Sequence, residues 1–92
     1  MKPTSTTLQV SFSTNADKSY KKLPLRTKKK VDKQIRLLFA NPSHPSLRLK
    51  KVQGENKFEA RIDYHYRFTF IFVNDVLHIL TLGPHDEGLG KK

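Results

Sequence analysis

Residues 58–82, FEARIDYHYRFTFIFVNDVLHILTL, decide the fold. Phe58, Ala60 and Ile62 share one face of an alternating run whose other face holds Glu59, Arg61 and Asp63, the period-2 mark of a half-buried strand. After Asp63 to Tyr66 the alternation resumes, with Phe68, Phe70 and Phe72 on one face and Arg67, Thr69 and Ile71 on the other. Asn74-Asp75 between Val73 and Val76 has the residue types of a two-residue hairpin turn. Val76 to Leu82 is apolar on both faces apart from His78 and Thr81, as a central strand requires. Three antiparallel strands follow, and they put Arg61 and Arg67 together on the face turned away from the apolar one.

Upstream, Leu47 and Leu49 alternate with Arg48 and Lys50 before a turn at Gly54 to Asn56, which predicts a fourth strand. Asn41-Pro42-Ser43-His44-Pro45 ends a helix expected over 25–40, whose Val31, Ile35, Leu38 and Phe39 fall on one stripe. Pro24 separates it from a shorter helix, expected from about Ala16 to Leu23 behind the capping types Ser13, Thr14 and Asn15, with Ala16, Tyr20 and Leu23 inward. So short a break predicts an antiparallel helical hairpin. Leu8, Val10 and Phe12 alternate with polar residues as an N-terminal strand. The expected architecture is α+β: strand, two-helix hairpin, then three to four antiparallel strands, in one twisted sheet with the helices on one face. The chain reads as a single domain over residues 1–92 with its core at about 8–89, and Lys91-Lys92 reads as a tail.

Ninety-two residues support one thin core, and without cysteine there is no disulfide framework or thiol nucleophile. No apolar run approaches the ~20 residues needed to cross a bilayer. The opening MKPTSTT lacks the apolar stretch of a secretory signal, so the expected setting is the cytoplasm, away from membranes. Residues 1–50 carry 12 basic and 2 acidic side chains and residues 51–92 carry 6 of each, which places the net charge of +10 in the first half. Such a field attracts polyanions without choosing among them. Lys28, Lys29, Lys30 and Lys33 supply much of it along the outer face of the second helix, and are candidate substrate contacts.

The arginine pair suits a phosphate, because each planar guanidinium donates two hydrogen bonds and stays charged. Ion pairs with Glu59 or Asp63 are the alternative. His85 follows the last strand, where an imidazole is suited to general acid or base work, although a loop histidine is often merely exposed. His65 and Tyr64 adjoin the arginines in sequence as candidate substrate contacts. No histidine pair has helical metal-ligand spacing and no phosphate-binding glycine loop occurs, so neither a metal nor a cofactor is expected. A site of this composition can cleave RNA by 2′-hydroxyl attack on the adjacent phosphate; DNA lacks that nucleophile.

Leu49-Lys50-Lys51-Val52-Gln53-Gly54, Phe58-Glu59-Ala60-Arg61-Ile62, Tyr66-Arg67-Phe68 and Leu82-Gly83-Pro84-His85-Asp86, in this order of elements, resemble the RelE/ParE superfamily of bacterial toxins. The resemblance spans roughly Leu8 to Leu89. RelE-like members are toxins of type II toxin-antitoxin systems and cut mRNA in the ribosomal decoding site; ParE-like members inhibit DNA gyrase. The resemblance implies Arg61 as a catalytic phosphate-binding residue, Arg67 beside it, Lys50 and Lys51 as electrostatic or acid-base support, and His85 as a general acid. It further implies a cognate antitoxin with an acidic segment, ribosomal RNA as a docking partner, and operator DNA bound by the toxin-antitoxin complex. The aromatic residue that often follows the last catalytic position is replaced here by Asp86-Glu87-Gly88, so base stacking falls to Tyr64, His65 or Tyr66. A gyrase inhibitor and a plain nucleic-acid-binding module are the alternative functions.

Overall fold

The computed structural model describes residues 9–84. Its elements run β1 (Val10–Phe12), α1 (Thr14–Lys21), α2 (Leu25–Ala40), a 3-10 turn (Pro45–Leu47), β2 (Lys50–Lys51), β3 (Phe58–Arg61), β4 (Tyr66–Val73) and β5 (Val76–Pro84). The five strands form one sheet in the order β1-β5-β4-β3-β2. All neighbours are antiparallel except β1, which lies parallel to β5 with Val10 beside Leu77 and Phe12 beside Ile79. The fold is therefore α+β with a mixed sheet, and β5 is interior as its two-sided apolarity predicts.

One sheet face packs under the helices. Ala60, Ile62, Phe68, Phe70, Leu77, Ile79 and Leu82 meet Ala16, Val31, Ile35, Leu38 and Leu47 in a continuous buried core. Phe70 is its hub, with ring centroids 5.7 Å from Phe68, 5.8 Å from Phe58 and 5.9 Å from Phe72. Truncating a buried Phe of this kind costs about 3–5 kcal/mol. α2 keeps its apolar stripe inward, and Tyr20 of α1 reaches across to donate its hydroxyl proton to Asp32 at 3.1 Å. Burial and the Asp32 carboxylate both push the Tyr20 phenol above its ordinary range.

Three local devices set the geometry. Ser13 caps α1 by accepting the Ala16 N–H at 3.0 Å while its own hydroxyl donates to the Leu80 carbonyl at 2.7 Å. Leu80 is available because the β4–β5 register shifts there: Thr69 faces Thr81, yet Phe70 faces Ile79. This bulge moves Thr81 and Gly83 onto the open face while Leu82 stays in the core. At the other end of the hairpin, Asn74 and Asp75 take φ of 51° and 67°, the two positive values of a type I′ turn.

The structure differs from the sequence expectation at Leu47 and Leu49. Pro45 opens a single 3-10 turn, capped by His44, whose Nδ1 accepts the Ser46 N–H at 3.1 Å. Arg48 then turns left-handed at φ 47°, so only Lys50 and Lys51 remain as strand. α1 also starts at Thr14, two residues before the expected Ala16, because Ser13 rather than Thr14 or Asn15 is the cap. His85, Leu8, the Asp86-Glu87-Gly88 stretch and the Lys91-Lys92 tail lie outside the described residues.

Candidate functional site

The face opposite the helices is built by strand parity. Arg61 and Arg67 are direct partners across β3 and β4, with Gly83 beside Arg67 on β5. One step outward, Ile62 donates its N–H to the Tyr66 carbonyl at 2.9 Å. Arg61 and Arg67 thus occupy the alternate, non-hydrogen-bonded site of the ladder, where Cα atoms approach to about 4.5 Å and side chains are closest. Two like charges directly opposite are ordinarily destabilising, so the pair needs countercharge or an anion.

The protein supplies part of what they need. Arg67 Nη1 donates to the Asp63 carbonyl at 3.2 Å and to the Tyr66 carbonyl at 3.4 Å, and its Nε lies 4.0 Å from Glu59 Oε1. Burial, then the charge of Arg61, lower the Arg67 guanidinium below its ordinary range; Glu59 opposes this and Arg48 adds to it. Arg61 is differently placed, since its Nε–H is buried and meets no acceptor among the described residues. A buried donor with no acceptor beside a second cation is the electrostatic arrangement an incoming anion completes.

Lys50 joins this face and Lys51 does not. Lys50 pairs with Glu59 across β2 and β3, and its Nζ lies 3.5 Å from Glu59 Oε1. Lys51 is partnered with Phe58, so parity turns it to the helix side. Tyr64 and His65 form the turn between the arginines, with ring centroids 5.2 Å apart and Tyr64 78% exposed. Asp63 fixes that turn: Oδ1 accepts the N–H groups of His65 at 2.8 Å and Tyr66 at 3.0 Å, and Oδ2 pairs with Lys30 at 3.2 Å. Burial would raise the Asp63 carboxyl, but the His65 N–H, Lys30 and the Tyr66 N–H outweigh it and hold it below its ordinary value.

Lys28, Lys29, Lys30 and Lys33 belong to α2, in the layer on the far side of the sheet from the arginine pair. Lys28 stands over the Tyr20 ring at 5.7 Å. Lys30 and Lys33 approach the turn along an open cleft of about 330 Å³, shared with Gln34, Ser46, Arg61, Asp63 and Tyr64. The molecule therefore carries two cationic surfaces, joined at one edge by the Tyr64 turn.

Two contributors escape sequence reasoning, and a third exceeds its expected part. Gln34 is 5% exposed on the buried side of α2, where its Nε2 donates to the Arg61 carbonyl at 2.9 Å and to the Ser46 carbonyl at 3.4 Å. It closes the edge of β3 where β2 stops short. Arg48 adds a third guanidinium charge near Arg67, placed there by the left-handed turn. Glu59 proves to be the carboxylate between Lys50 and Arg67, beyond its expected part as an ion-pair partner. Only its neighbourhood in β3 hinted at this. Among the described residues no three His, Asp or Glu side chains converge as metal ligands, and no helix is long and apolar enough to cross a membrane.

No protein-family model and no curated protein matches the sequence. Its fold is that of RelE-like toxins. YafQ from E. coli BL21(DE3) superposes with a TM-score of 0.73 at 16% identity, covering 91% of this chain and 100% of that one. The archaeal RelE–RelB complex from Pyrococcus horikoshii gives 0.71 at 21% identity, over 88% and 98%. The YoeB–YefM complex from Staphylococcus aureus gives 0.73 at 18%, over 86% and 98%.

Proposed function

We propose that this protein is the toxin of a type II toxin-antitoxin system, a cytoplasmic endoribonuclease that cleaves ribosome-bound mRNA by 2′-hydroxyl attack without a metal. The observation that carries the proposal is the Arg61–Arg67 pair, direct partners on the sheet face turned away from the helices, with the Arg61 Nε–H lacking an acceptor among the described residues. A scissile phosphate would satisfy both, and its charge grows in the phosphorane-like transition state, so the clamp tightens as reaction proceeds. Arg61 is the principal clamp and Arg67 its neighbour; Lys50, on the same face, adds field, and Lys51 serves the approach of the strand from the far side. His85, next in sequence after β5, protonates the departing 5′-oxygen.

Tyr64 and His65 form the stacking platform for a flanking base, on a turn that Asp63 holds rigid. Lys28, Lys29, Lys30 and Lys33 grip ribosomal RNA or the continuing message from the helix layer, which the +10 net charge favours. The cognate antitoxin offers an acidic segment to these surfaces, and the pair of proteins binds operator DNA. The fold shared with the RelE–RelB, YoeB–YefM and DinJ–YafQ toxin-antitoxin structures supports this partnership.

The test is induction of wild type and of the Arg61→Ala/His85→Ala double variant in bacteria, with growth followed and mRNA 5′ ends mapped by primer extension. New codon-phased ends that vanish in the double variant are expected. Growth arrest with intact message and a DNA-damage response would replace the nuclease with a gyrase inhibitor. No arrest and only salt-sensitive RNA binding would leave a binding module.

A further inference from the structure

Glu59 is the one Asp or Glu side chain in any of the five described strands, and it lies on the open face. It precedes Arg61 by two residues on that face, a spacing of roughly 7 Å along a strand. Lys50 faces it from β2 at 3.5 Å and Arg67 from β4 at 4.0 Å, while its register partner Thr69 bonds Thr81 hydroxyl to hydroxyl at 2.6 Å. Both cation contacts fall on Oε1 and exceed the ~2.7–2.9 Å of a charge-assisted hydrogen bond. The carboxylate stands between two cations without a close hydrogen bond to either, and 23% of its side chain remains open to solvent.

We infer that Glu59 is the general base of the cleavage, which rests on the nuclease function proposed above. With the phosphate on Arg61 and Arg67, the 2′-hydroxyl on its 5′ side falls within reach of a carboxylate one step along the strand. Glu59 takes the hydroxyl proton; the 2′-oxygen forms its bond to phosphorus as the bond from phosphorus to the 5′-oxygen breaks. A 2′,3′-cyclic phosphate remains, the 5′-oxygen receives a proton from the general acid, and neutral Glu59 releases its proton to water. Two other candidate bases are placed less well. Asp63 commits Oδ1 to the turn and Oδ2 to Lys30 of α2, and His78, between Ile71 and Ser11, is separated from the arginine row by the Thr69–Thr81 row and the Leu80 bulge.

The experiment compares wild type, Glu59→Gln and Glu59→Asp, reading single-turnover cleavage of ribosome-bound mRNA against pH, and affinity for the same RNA carrying a 2′-deoxy sugar at the cut. Glu59→Gln is expected to cleave about 10²–10⁴-fold more slowly. It loses the acid-side limb of the pH profile and binds the deoxy RNA at least as tightly, because a negative charge beside the phosphate is gone. Glu59→Asp keeps the limb at an intermediate rate, and decides the matter should the Gln variant fail to fold. Cleavage by Glu59→Gln within threefold of wild type, or a retained acid limb, overturns the base role. So does an equal loss of cleavage and of deoxy-RNA affinity, which would make Glu59 a holder of Arg67. A wild type that leaves the message intact overturns the nuclease function itself, an outcome distinct from a cleaving wild type with an active Gln variant.

Discussion

Replacing Gln34 by Met removes two hydrogen-bond donors from the joint between α2 and β3 at almost constant side-chain volume. The 2.9 Å bond to the Arg61 carbonyl is a full bond; the 3.4 Å bond to Ser46 is a weak one. Stranding a part-buried carbonyl costs about 1–3 kcal/mol, so a total near 2 kcal/mol is expected. For a domain of this size each kcal/mol lowers the melting temperature by roughly 4–8 °C, which predicts a fall of about 8–16 °C. Circular dichroism melts of wild type, Gln34→Met and Gln34→Glu read this directly. The Glu variant should melt lowest, since it sets a carboxylate against two carbonyl oxygens. A Met variant melting within about 2 °C of wild type would refute the assigned strength of the joint. The proposed RNA cleavage, measured well below both melting temperatures, separates stability from alignment: slower cleavage by folded Gln34→Met means the bond aims Arg61, and an unchanged rate means it only secures the strand.

Two further outcomes follow from local geometry. Because the folded-state value of Asp63 lies below its unfolded one, the stabilisation it gives is complete above the ordinary carboxylate range and is lost as pH falls through the lowered folded value. Melts of wild type should therefore be flat toward neutral pH and drop below about pH 4, with Asp63→Asn less stable at neutral pH and shallower in acid; parallel curves for the two proteins would contradict this. At the β4–β5 turn, Asp75→Gly should raise stability by about 0.5–1 kcal/mol, because the φ of 67° there favours glycine; urea titration checks it, and a loss of stability would speak against the I′ assignment.

The elements most legible from sequence are those whose signal is local. α2 occupies residues 25–40 as its stripe predicts, and the Asn74-Asp75 turn joins β4 to β5 with Val73 opposite Val76. Alternation alone put Arg61 and Arg67 on one face. It failed at Leu47 and Leu49, where a proline, a histidine cap and one left-handed residue overrode a short pattern. Lys50 and Lys51 read alike until the register with Glu59 and Phe58 separated them, and register is a property of two strands. Gln34 lies on the apolar stripe, three residues after Val31 and four before Leu38, but helix periodicity carries no information about the uncapped strand edge it meets there. The parallel β1–β5 pairing is likewise invisible locally.

That pairing also bears on when the protein becomes competent. Among the described strands β1 pairs with β5 alone, and the contact from Ser13 to Leu80 spans 67 positions of chain. Synthesis proceeds from the N-terminus, so the first strand cannot pair until the fifth, the last of the described strands, has been made. The β3–β4 hairpin bearing the arginines can close early, yet Thr81, Gly83 and His78, the β5 share of the open face, arrive only with β5. Folding of so non-local a sheet is slow relative to its helices. A nascent chain that has not yet exposed β5 is thereby an unassembled one, its arginine hairpin formed and its sheet incomplete.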